Sequence, residues 1–229
     1  QAPLLVYILA GIFMIFGVSL IVGQLMIGIV TAGTVILIFY IGKKMYDPTV
    51  GFLASLLFGI SDIVIIYGSD IRTAPLNTFF MTLSMLLLLN IEPHKLNKYL
   101  ISSTIVFSIG ILSRLSAAIF LLPITVYILN MREFELIDRF KNLFYFYGLS
   151  IAIISIVAAY FLIYVPLDIL FFDLIYLQAK VETPMNTLIK LDMFYKILLN
   201  NFGFLILTTI YIYLFLKNGK KRNDELLII

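Results

Sequence analysis

The amino-acid sequence predicts an all-α fold: a polytopic transmembrane helical bundle of about seven spans, with an N-terminal helix that is interfacial or re-entrant. Three observations carry this expectation. Of the 229 residues, 62% are apolar and 13% are charged, with a mean hydropathy of +1.08; that is about half the charge of an ordinary soluble domain. Apolar runs at 19–41, 49–67, 75–91, 99–113, 115–130, 143–165 and 197–216 approach the roughly 20 residues that a bilayer crossing needs. Lys and Arg collect in every second connection between these runs.

Each element follows from local signals. The run from Leu4 to Phe16 is too short to span and fits a helix on or in the outer leaflet. Gly17-Val18-Ser19 separates it from the first span, which ends at Lys43 and Lys44. Asp47-Pro48 reads as a helix start, with Asp as N-cap and Pro in the first turn, so the span at 49–67 begins there. Asp62 lies within that run near its outer end. Thr73 is placed to cap the next helix, near Pro75. The stretch 99–130 would form one helix of roughly 50 Å at 1.5 Å per residue, yet both its flanks are basic. Two short helices turning at Arg114 satisfy both facts, with Arg114 at or slightly within the outer hydrocarbon boundary. Pro166 ends the next span, and an outer connection at 166–196 follows, where Phe171, Phe172 and Leu174 alternate with Asp168 and Asp173 as on an amphipathic surface segment.

Direction comes from the cations. Lys43, Lys44, Lys95, Lys98, Arg132, Arg139, Lys141, Lys217, Lys220, Lys221 and Arg222 are eleven of the sixteen and mark the cytoplasmic connections. Arg72, Arg114, Lys180, Lys190 and Lys196 fall on the other side, with Asp70, Asp168, Asp173, Glu182 and Asp192. The expectation is a multi-pass protein of the cytoplasmic membrane, with Gln1 outside and a cytoplasmic tail at 217–229. Residues 1–229 form a single transmembrane domain; starting at Gln1 and ending in apolar residues, it reads as part of a longer chain.

Composition also excludes. A net charge of +3 spread along short segments leaves no basic face for nucleic acid. With no Cys and one His, His94, the chain has no disulfide framework, no thiol nucleophile and none of the usual zinc ligand sets. No metal ligand and no cofactor is assigned, and a divalent metal has no identifiable site. No nucleotide loop or Ser/His/Asp set occurs.

Two outer turns hold the unusual residues. In Tyr67-Gly68-Ser69-Asp70-Ile71-Arg72-Thr73-Ala74-Pro75, an Arg stands beside a helix start, whose free N–H groups and partial positive charge attract anions. Ser113-Arg114-Leu115-Ser116 repeats that arrangement on the same face. Together they point to a shared phosphate or pyrophosphate site. A plainer reading has Arg72 simply pairing with Asp70 at the interface. Asp62 is a proton or cation site, or a structural carboxylate.

The order of segments resembles a known group. Gln1-Ala2-Pro3-Leu4, Phe16-Gly17-Val18, and Tyr40-Ile41-Gly42-Lys43-Lys44-Met45-Tyr46 are similar to stretches of the polyprenyl-phosphate-dependent membrane glycosyltransferases, the GT-C superfamily of protein O-mannosyltransferases and lipid A aminoarabinose transferases. So are Val50 to Leu57, Ser69 to Phe80, and Gly110-Ile111-Leu112-Ser113-Arg114-Leu115, the likeness covering about residues 1–130. The resemblance implies an inverting enzyme that moves a sugar from an isoprenoid-phosphate donor to a protein, lipid or glycan acceptor on the outer face, within membrane lipid. It implies that Arg72 and Arg114 contact the donor phosphate and that the family's key acid precedes the stretch matching Gln1. Ala74 stands nearest to a second acidic position of the family, with Asp70 four residues earlier, so no residue is assigned as catalytic beyond Asp70 as a candidate. Two other readings of the residues stay open: a transporter or lipid flippase module using Asp62 and Arg114, and a non-catalytic membrane scaffold.

Overall fold

The computed structural model describes residues 3–91, 96–131 and 134–164, all within the compact unit Gln1–Leu170. The expected outer connection at 166–196, the last span at 197–216 and the tail lie outside the described residues. Among the described residues the fold is wholly helical. Its helices are α1 (Pro3–Phe16), α2 (Leu20–Met45), α3 (Pro48–Gly59), α4 (Asp62–Tyr67), α5 (Thr73–Leu89), α6 (Leu96–Ser113), a 3-10 helix (Leu115–Phe120) running into α7 (Leu121–Leu129), and α8 (Leu136–Tyr164). By length and composition α2 and the Leu136–Tyr160 part of α8 suffice to cross a membrane, and the other apolar helices are shorter.

Helix boundaries follow chemistry that is visible locally. Gly17 takes a φ of 81°, a left-handed conformation that glycine adopts without a Cβ penalty, and so ends α1. Asp47 caps α3, its Oδ1 accepting from Val50 N at 2.8 Å, with Pro48 in the first turn. The run at 49–67 is not one continuous helix: it breaks at Ile60–Ser61, where Ser61 Oγ turns back to donate to Phe58 O at 2.8 Å. Gly59 lies against Val35, so the break falls beside the middle of α2, and Asp62 opens α4 there, exposed.

Packing then sets the register. α2 and α3 run antiparallel and touch backbone to backbone: a Cβ on Gly42 would lie 2.6 Å from Gly51 Cα, and one on Gly51 would lie 2.5 Å from Phe39 O. α5 runs parallel to α2, from Ile71 beside Gly23 through Phe79 beside Gly33 to Asn90, whose Oδ1 accepts from Lys44 Nζ. α6 returns antiparallel to α5. Ser84 Oγ donates to Ser103 O at 3.0 Å, and Ser103 Oγ donates to Ser84 O at 2.9 Å, a reciprocal bond between fully buried side chains. Such hydroxyl pairs hold helices together where apolar burial provides little driving force. α6 and α8 meet through Phe107 and Phe146, both fully buried with ring centroids 5.3 Å apart. α1 leans on α2 and α6, and its Leu5 clusters with Met26 and Ile27 of α2 and Leu76 of α5.

Candidate functional site

The α5–α6 register decides where the two arginine turns stand. Ser84 faces Ser103, and seven residues back along α5 and forward along α6 Asn77 faces Gly110, where a Cβ would lie 3.6 Å from Asn77 Oδ1. One further turn in the same antiparallel register sets Thr73, the first residue of α5, level with Arg114, whose N–H bonds to Gly110 O at 3.1 Å. Packed helix axes lie about 8–10 Å apart, and the 3-10 helix after Arg114 touches α5, so both turns lie at one end of the bundle. The structure thus brings together the two turns that the sequence singled out.

Each arginine has its own setting. Arg72 is the N-cap residue of α5, with extended backbone and no side-chain cap, which corrects the expected capping by Thr73: Thr73 is already the first helical residue. The first N–H groups of this 17-residue helix therefore have no side-chain cap and give a positive electrostatic end. The Arg72 guanidinium pairs with Asp70, Nε to Oδ2 at 3.2 Å, and lies 4.9 Å from the centroid of the Tyr67 ring. The plainer reading of Arg72 is therefore partly met, yet its side chain remains 61% exposed. Arg114 is exposed and has no ion-pair partner among the described residues. It opens the 3-10 helix, which touches both α5 and α6. That second start contributes the guanidinium itself rather than a well-formed α-helix end.

Asn77 is one of three buried polar residues with an unpartnered atom that sequence reasoning passed over, the others being Asn142 and Ser150 on α8. It is 8% exposed, and its Oδ1 has no hydrogen-bond partner in the described structure. A lone Asn early in the run 75–91 was visible, but its burial against α6 depends on tertiary packing. Alongside α2, next to the same turn, an open apolar groove of about 360 Å³ is lined by Ile21, Gln24, Leu25, Gly28 and Ser69, among others. Among the described residues no group of three or more His, Asp or Glu gathers in a way that would hold a metal ion.

The described residues thus form a bundle of apolar helices, two of them long and apolar enough to cross a membrane, with the turns of Arg72 and Arg114 at one end. The chain matches the dolichyl-phosphate-mannose-protein mannosyltransferase family over residues 1–164. It belongs to that family, and so to the membrane glycosyltransferases. No curated protein and no solved structure matches the chain.

Proposed function

We propose that the protein transfers a sugar from an isoprenoid-phosphate donor to a protein, lipid or glycan acceptor on the outer face of the cytoplasmic membrane, with Arg72 and Arg114 holding the donor phosphate. The observation that carries this reading is the common level of Arg114 and the uncapped start of α5, set by the Ser84–Ser103 register. Orientation is supported by Lys43 and Lys44, which lie at the opposite end of α2 and suit the cytoplasmic side. The apolar groove along α2, with Ser69 in its lining, suits an isoprenoid chain.

The chemistry follows from the charge change. An acceptor nucleophile bonds to the anomeric carbon and gives up its proton as the bond from that carbon to the phosphate oxygen breaks. The donor phosphodiester carries one negative charge, and the departing lipid phosphate gains another. Guanidinium groups aimed at those oxygens bind the leaving group more tightly as that charge develops, and such differential binding is what lowers a barrier. Asp70, at 3.2 Å from Arg72, fixes that guanidinium or orients the acceptor. The test is Arg114→Leu in the full protein. Loss of transfer with normal membrane insertion supports the assignment, and unchanged transfer overturns it.

A further inference from the structure

Asn77 has no structural reason to be an asparagine. Along its face of α5 it is followed by Met81, Ser84 and Leu88, of which Ser84 is fully hydrogen-bonded and the others are apolar. A leucine, branched at the same carbon with the same heavy-atom count, would occupy the same place without stranding an amide oxygen in a membrane bundle. The carboxamide meets the last turn of α6 at Gly110, and Met81 Cε occupies the space a Gly110 side chain would need, 2.0 Å from the position of its Cβ. Phe80 Cβ and Asn77 Oδ1 lie beside the same point of α6, and Met81 is the one of these side chains with a flexible thioether end, the most adaptable of apolar groups. Asn77 lies one helical turn, about 6 Å, below the level of Thr73 and Arg114. That step is comparable with the span of one hexose ring hung from a phosphate.

We propose that Asn77 is a specificity-determining residue whose carboxamide binds a hydroxyl of the sugar attached to the phosphate held at Arg72 and Arg114. This rests on the phosphate reading given above. The bound sugar gives the stranded oxygen its partner. Sugars that lack a correctly placed hydroxyl leave that oxygen unpaired and are disfavoured.

The full chain, purified in detergent, is titrated with a short isoprenyl monophosphate and with the same isoprenol carrying mannose, glucose or galactose through a phosphodiester. The native protein is expected to rank the three sugars. Asn77→Leu should leave the monophosphate within about twofold, weaken the preferred sugar at least roughly tenfold and flatten the ranking. Its thermal stability should equal or exceed that of the native protein. A ranking preserved in Asn77→Leu overturns the proposal, as does no ranking in the native protein. An equal loss for all four probes makes Asn77 merely structural and also overturns it. Should Asn77→Leu fold poorly, Asn77→Ser, too short to reach the sugar, must show the same selective loss or the proposal falls. Arg114→Leu, run alongside, separates the premise: unchanged binding of every probe to that variant overturns the phosphate reading itself, whatever Asn77 does.

Discussion

The two ends of the bundle use their polar residues differently. At the end where α2 finishes and α3 begins, polar groups close the structure. Lys44 donates to Asn90, Asp47 caps α3, and Arg139 donates from Nη1 to Leu129 O at 3.0 Å and from Nε to Phe134 O at 2.8 Å, tying the α7–α8 turn. Gly42 and Gly51 let the backbones of α2 and α3 touch at the same end. At the other end Arg114 has no ion-pair partner among the described residues, the start of α5 has no side-chain cap, and Asn77 Oδ1 is stranded. Asn142 Nδ2 and Ser150 Oγ on α8 are also without a partner among the described residues, so it is the grouping of the free Arg114, the uncapped α5 start and Asn77 that sets this end apart.

The largest expected effect breaks the comparison at its open end. Arg114→Leu should lower transfer by about two to three orders of magnitude, the loss seen when one preorganised donor to a developing oxyanion is removed, while the folded yield stays unchanged. Arg114→Lys should recover part of the rate, because an ammonium keeps the charge and loses the bidentate fork. Steady-state transfer with membrane-inserted protein measures both. Equal rates for the native protein and Arg114→Leu would place Arg114 among the architectural charges.

At the closed end the expected losses are of stability. Gly51→Leu drives a side chain into Phe39 O and the Lys43 backbone, groups that cannot move aside cheaply. It should cost on the order of 1–3 kcal/mol, read as a lower temperature of aggregation in detergent. Transfer per folded molecule should persist. Arg139→Leu comes next at roughly 1–2 kcal/mol, since two buried-side carbonyls lose a charged donor. A large fall in transfer per folded Arg139→Leu molecule would erase the distinction between the two ends.

Legibility in the sequence follows the same division between local and long-range causes. Asp47-Pro48 declared its helix start because a cap and its Pro are adjacent in the chain. The turn at Arg114 could be derived from span length and flanking charge alone, and the helices do part there. The break at Ile60–Ser61 was harder to read: Gly59, Ser61 and Asp62 are weak signals inside an apolar run, and an apolar run reports burial or lipid contact rather than continuity. Thr73 has the right side chain for a cap, but the backbone at Arg72 turns extended one residue earlier, after the Asp70–Arg72 turn with its 2.7 Å bond from Arg72 N to Asp70 O. The common level of the Arg72 and Arg114 turns was anticipated only as a shared face. Its physical basis, the Ser84–Ser103 bond, joins residues 19 positions apart and leaves no local trace.

The smallest effect sharpens the comparison within the open end. Asp70 and Arg72 form an ion pair whose side chains are 37% and 61% exposed, so breaking it should change stability by less than about 1 kcal/mol. If Asp70 serves only to anchor the turn, Asp70→Asn will leave transfer near its native value, because the amide still accepts from the Arg72 guanidinium. If it orients Arg72 toward the donor phosphate, kcat should fall severalfold with KM for the donor little changed, since the guanidinium is then misdirected mainly in the transition state. If Asp70 takes the proton of the acceptor, Asp70→Asn must instead lower kcat by about a hundredfold or more. The three outcomes are separated by one variant measured for kcat and KM, and the contact of Arg72 with Asp70 at 3.2 Å and with the Tyr67 ring favours the middle one.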